Sequence, residues 1–174
     1  MSKIIEENGV SVRFPDDNYM QFGQCSAYKK INSQGAKEMD VCWFDTSVNT
    51  LWLVEFKAFY SSDNPHYFQR DLSDSNEVAD WLTKLTEKSI HTVAMSLTNR
   101  SLTQSCLPTI PDNNTTINVI HLVKVIPGQD TYLDPLQDKL RLRLKPYKAI
   151  FNISAISIIS YDFAVKNQLL SWIV

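Results

Sequence analysis

Met39-Asp40-Val41-Cys42-Trp43-Phe44, a polar stretch Asp45 to Thr50, and Leu51-Trp52-Leu53-Val54-Glu55-Phe56-Lys57-Ala58-Phe59 decide how this sequence reads. Two apolar, β-branched and aromatic runs joined by a short polar segment predict a β-hairpin. Alternate strand residues share a face, so Leu51, Leu53, Glu55, Lys57 and Phe59 lie on one side and Trp52, Val54, Phe56 and Ala58 on the other. Both faces are apolar except at Glu55 and Lys57. A symmetric hairpin closed by the loop 45–50 sets Phe44 against Leu51 and Asp40 against Glu55, with β-carbons ~4.5–5.5 Å apart. Two carboxylates at that distance inside a sheet repel and are costly to desolvate. Lys57, diagonal to the pair, offsets part of that cost. A divalent cation between them would remove the repulsion, and Mg²⁺ suits a site of one or two carboxylates that keeps several waters and takes phosphate oxygens. An exposed Glu–Lys pair alone would mean little, but the apolar flanks argue against full exposure.

Outward from the hairpin, Val10, Val12 and Phe14 alternate as in a short strand before a turn at Pro15 to Asn18. Residues 60–72 are polar and aromatic without a clear period. A helix is expected from Asp74 or Ser75, with Glu77 at capping-box spacing from Asp74. Val78, Trp81, Leu82, Leu85, Thr92, Val93 and Met95 continue it to about Leu97. Residues 99–116 read as a loop, and Ile117 to Ile126 as a central strand ended by Pro127-Gly128. Asp134 is expected to cap a second helix that starts at Pro135 and carries a Leu136, Leu140, Leu144 stripe. Two further apolar runs follow Pro146, Ala149–Ile153 and Ile156–Tyr161, and the tail is unassigned. Strands on both sides of a long helix predict an α/β (α+β) fold, a central mixed sheet flanked by helices. The 174 residues suit one domain, 1–174.

Composition narrows the function. Hydrophobic residues make up 44% and charged residues 21%, which fits a globular protein. Only four glycines occur, none at the spacing of a phosphate-cradling loop. A net charge of −2 and a pI near 5.9 speak against coating nucleic acid or membrane by bulk charge. Cys25, Cys42 and Cys106 are odd in number and far apart. They suggest neither a disulfide framework nor zinc, and a reducing compartment is expected. The N-terminus lacks an apolar signal core, and no run approaches the ~18 apolar residues of a membrane span. A cytoplasmic location with no membrane partner is the expectation.

Asp40, fourteen intervening residues, then Glu55-Phe56-Lys57 at the end of an apolar strand resembles the PD-(D/E)xK nuclease signature of the restriction-endonuclease-like fold. The order of elements over residues 5–160 agrees with that likeness. Met39 stands where the signature has proline, and Glu6 or Glu7 is the candidate for a further acidic residue. The resemblance implies a Mg²⁺-dependent endonuclease, with Mn²⁺ as a substitute, that hydrolyses a phosphodiester of DNA in preference to RNA. Asp40, Glu55 and the backbone carbonyl of Phe56 would hold the metal, and Lys57 would orient the attacking water and offset charge on the phosphate.

Lys88 falls one heptad after Trp81 and one before Met95, on or beside the helix seam. It is either a supporting catalytic lysine or a side chain that snorkels to water. His91 groups with polar residues and reads as solvated, His121 as a hydrogen-bonded core histidine, and His66, near Gln69 and Arg70, as a loop residue. Lys139, Arg141, Arg143, Lys145 and Lys148 form a basic run without an acid, a candidate phosphate-backbone contact. Lys29 and Lys30 are a weaker one. With little room for a target-recognition domain, the chain is expected to rely on a larger protein partner for recognition, to form a homodimer, or to cut with low sequence specificity. The rival reading is a catalytically silent or partner-dependent nuclease-fold module that binds nucleic acid or assembles with a protein.

Overall fold

In the computed structural model, the residues described are 4–26, 28–29, 35–59, 75–98, 107–108, 111–112 and 114–174. Asp74, His66, Gln69, Arg70, Lys30 and Cys106 lie outside them. Two strands, β1 (Ile4–Glu7) and β2 (Val10–Arg13), form an antiparallel hairpin. Its two-residue turn, Asn8-Gly9, holds both residues at positive φ, 55° and 71°. Both values belong to the turn type that Asn-Gly favours between strands.

Among the described residues the main sheet has five strands in the order β3-β4-β5-β6-β7: β3 (Tyr19–Gln21), β4 (Val41–Asp45), β5 (Thr50–Ala58), β6 (Thr116–Lys124) and β7 (Ile153–Ser160). The β3–β4 and β4–β5 pairs are antiparallel; β5–β6 and β6–β7 are parallel. The sheet is therefore mixed and flanked by helices, as expected. The β4–β5 register pairs Phe44 with Leu51 and Val41 with Val54, which is the register of the symmetric hairpin. The connection is tighter than 45–50, because Asp45 pairs with Thr50 and leaves four loop residues.

Helices α1 (Ser75–Thr98) and α2 (Leu133–Ile150) make the parallel crossovers. Both pack on one sheet face, where Trp81, Leu82, Leu85 and Val93 of α1 and Leu136, Leu140 and Leu144 of α2 meet Leu51, Leu53 and Val119. Each such fully buried side chain contributes about 1.5–3 kcal/mol relative to exposure. The opposite face, carrying Val54, Phe56, Ile120 and Leu122, is covered by the β1–β2 hairpin, Ala164 of α3 (Tyr161–Lys166), Trp172 and Ile173. The unassigned tail is tied in by backbone bonds from Arg13 N–H to Trp172 at 2.7 Å and from Val174 N–H to Ser11 at 3.2 Å.

Three expectations are corrected. Helix α2 starts at Leu133 after a 3-10 turn, so Asp134 lies in its first turn, where a carboxylate still favours the helix dipole. The helix also passes through Pro146 to Ile150, because a proline removes one backbone bond while the buried leucine stripe and the packed Tyr147 hold the helix on the core. Ala149 and Ile150 are thus helical, and one strand follows instead of two runs. Finally, Cys25 is disulfide-bonded, whereas Cys42 is a buried free thiol. Spacing along a chain does not report which cysteines come within disulfide range. Among the described residues, no helix is long and apolar enough to cross a membrane.

Candidate active site

The site lies where β4 begins and β5 continues past it. Phe56 extends beyond Val41, the first residue of β4, so on that side its backbone has no strand partner. Two side chains take the place of one. The Phe56 N–H donates to Asp40 Oδ2 at 2.6 Å, and Asn8 Nδ2 donates to the Phe56 carbonyl at 3.2 Å. A buried amide left unbonded would cost about 1–3 kcal/mol, so both contacts anchor the strand end. Extending the observed register by one residue sets Asp40 opposite Glu55.

Glu55 is 2% exposed. Its face turns toward α1, where Lys88 Nζ donates to Glu55 Oε1 at 2.6 Å. Among the described residues, Glu55 Oε2 is buried without a hydrogen-bond partner. Burial, and then the Asp40 charge, push the Glu55 carboxyl up to about 8 in spite of Lys88 and Lys57. Burial also raises Asp40, against the pull of the Phe56 N–H. Burial draws Lys88 down, but Glu55, Asp40 and Glu38 together hold it above its ordinary value. Lys88 is therefore the inward-facing partner of a buried acid, not a lysine that snorkels away.

Two further acids border the site. Glu7 shares a strand side with buried Ile5, whereas Glu6 points the other way. Glu7 is raised by burial and next by Asp40. Glu38 is raised by burial and accepts a hydrogen bond from Tyr28 Oη. Strand parity and the Asn8-Gly9 dipeptide were the available signals for Glu7 and Asn8; Glu38, two residues before Asp40, had only its spacing.

Helix α1 is docked here by several polar contacts. Met39 N–H donates to Thr92 Oγ1 at 2.8 Å, a bond that proline at this position would lack. Lys37 N–H donates to His91 Nδ1 at 3.0 Å, so His91 is a docking residue and not simply solvated. His121, the β6 partner of Glu55, is fully buried beside Ser89. The Ser89 hydroxyl donates its one hydrogen to the Leu85 carbonyl at 2.8 Å, so His121 Nε2–H donates to Ser89 Oγ at 3.2 Å. Burial drives His121 down to about 3, and neutral Nδ1 is left as a buried acceptor without a partner among the described residues. His121 is a core histidine, as expected.

The basic run divides. Arg141 Nε donates to the Ile156 carbonyl at 2.9 Å and Gln137 Oε1 accepts the Ile158 N–H at 3.0 Å. These two groups lie on the outer edge of β7, so Arg141 caps a sheet edge. Arg143 Nη1 donates to Thr83 Oγ1 at 3.0 Å. Lys139, Lys145 and Lys148 are exposed on α2, the helix that leads into β7, two strands from β5. The run is therefore not brought to the carboxylates. Lys29 is exposed.

Among the described residues, no three His, Cys, Asp or Glu side chains form a ready-made metal cage. Mg²⁺ does not require one, since it binds through one or two carboxylates with water completing its shell. Glu55 Oε2, unpartnered among the described residues, and Asp40, whose charge acts on Glu55, are oxygen donors of the kind such an ion takes. No family model matches the chain, and no curated protein or solved structure matches it.

Proposed function

We propose that the chain is a metal-dependent phosphodiester hydrolase, a nuclease acting on DNA with a restriction-endonuclease-like core. The observation that carries this reading is the β4–β5 register, which extended by one residue sets Asp40 against Glu55, with Glu55 Oε2 buried and unpartnered among the described residues. Mg²⁺, or Mn²⁺ in its place, held by Asp40, Glu55 and the Phe56 carbonyl would polarise a phosphoryl oxygen and lower the pKa of a bound water. Lys57, on the Glu55 face, orients the attacking water and balances charge building on the phosphate. In the metal-free chain Lys88 keeps the Glu55 carboxyl in position. Lys139 and Lys145 contact the nucleic-acid backbone away from the reacting phosphate, and a second copy or a protein partner supplies target recognition.

A second reading, a silent or partner-dependent module of the same fold, is favoured by Lys88 on Glu55 and by Asn8 on the Phe56 carbonyl. Cleavage of plasmid and single-stranded DNA with Mg²⁺ or Mn²⁺, beside Asp40→Ala and Lys57→Ala, separates the two. Cutting that both substitutions abolish supports the nuclease. Metal binding without cutting moves the weight to the module, and cutting that survives both substitutions removes this site.

A further inference from the structure

We propose that Lys88 is a built-in stand-in for the cation: its ammonium occupies the Glu55 side chain while the metal is absent, and a divalent cation enters by displacing it. This rests on the metal-site reading above. Lys88 Nζ sits 2.6 Å from Glu55 Oε1, and among the described residues no other hydrogen bond to the Glu55 carboxyl is seen. The ammonium lies within electrostatic reach of Glu7, Glu38, Asp40 and Glu55. A compact ammonium and a divalent ion compete for the same Glu55 oxygens, and at a given distance the double charge gains more from a carboxylate than the single one does.

The geometry also gives the lysine a way out. Its side chain is 29% exposed, whereas that of Glu55 is 2% exposed, so the ammonium can swing toward water on its flexible stem while the carboxylate stays. Helix α1 keeps its dock without this bond, through Met39 to Thr92, Lys37 to His91 and His121 to Ser89.

The test is amine-reactive labelling of the wild-type chain, read by peptide mass spectrometry with and without MgCl₂, alongside Mn²⁺ calorimetry on wild type, Lys88→Gln and Asp40→Asn. Lys88 is expected to be protected without metal and several-fold more reactive at saturation, with exposed Lys84 unchanged. Lys88→Gln, whose amide still donates to Glu55, is expected to bind Mn²⁺ about tenfold tighter, a difference of about 1.4 kcal/mol. Lys88 protected at saturating metal, or weaker binding by Lys88→Gln, overturns the proposal. Absence of Mn²⁺ binding in all three proteins overturns the metal-site reading itself.

Discussion

Asp40 Oδ2 accepts the backbone N–H of Phe56 at 2.6 Å, on the strand that carries Glu55 and Lys57. The acid that the proposed chemistry needs is therefore also the group that completes the end of β5. Stability and the proposed activity meet at this residue, and a substitution that separates them is informative.

Asp40→Asn retains an acceptor for Phe56 N–H and loses the charge. Its thermal midpoint is expected near wild type, while metal-dependent cleavage is lost. Asp40→Ala leaves the amide unbonded and is expected to lower stability by about 1–3 kcal/mol, less whatever is regained from relieved repulsion. Thermal denaturation of the two variants is the check, and equal stabilities would remove the anchoring role.

Glu55 is raised from 4.5 to about 8, by burial first and Asp40 second. Between those values the native state keeps a proton that the unfolded chain has released, so stability falls as pH rises through the window. Asp40, Glu7 and Glu38 shift the same way. Urea denaturation from pH 6.5 to 8 should show a shallower slope for Glu55→Gln, with the variant more stable than wild type at pH 8. Parallel slopes would count against a buried, protonatable Glu55.

His121 acts in the opposite sense. Its native value is lowered from 6.5 to about 3, so below pH 6.5 the unfolded chain takes up a proton that the native state refuses. Stability is lost as pH falls through that range. His121→Gln, which keeps a donor for Ser89 Oγ, is expected to flatten this acid limb, measured by the same denaturation series.

Gln137 and Arg141, one helical turn apart, occupy the outward N–H of Ile158 and carbonyl of Ile156, the groups an added strand would use. Native-state hydrogen exchange at the Ile158 amide is expected to rise by up to about tenfold in Gln137→Ala, the loss of one hydrogen bond of roughly 0.5–1.5 kcal/mol. The double variant with Arg141→Ala should self-associate with increasing concentration in sedimentation. An unchanged amide and a concentration-independent size would refute the capping role.

The sequence by itself determined the elements whose information is local. Alternation in Leu51–Phe59 and the short polar connection set the β4–β5 register, and three- and four-residue apolar steps set α1. That register already placed Asp40 against Glu55. Helix α2 was legible from its leucines but not through Pro146, because the packing that keeps it helical comes from other elements. Tertiary structure alone decided the rest. Whether Lys88 turned in or out depended on which strand its helix crossed, and Glu55 lies there. Arg141 looked like a phosphate contact because its partner, the Ile156 backbone, is invisible in a list of side chains. Cys25 was judged from spacing, although a disulfide depends on separation in space. Periodicity reports which face a residue occupies, and only the folded chain brings a partner to that face.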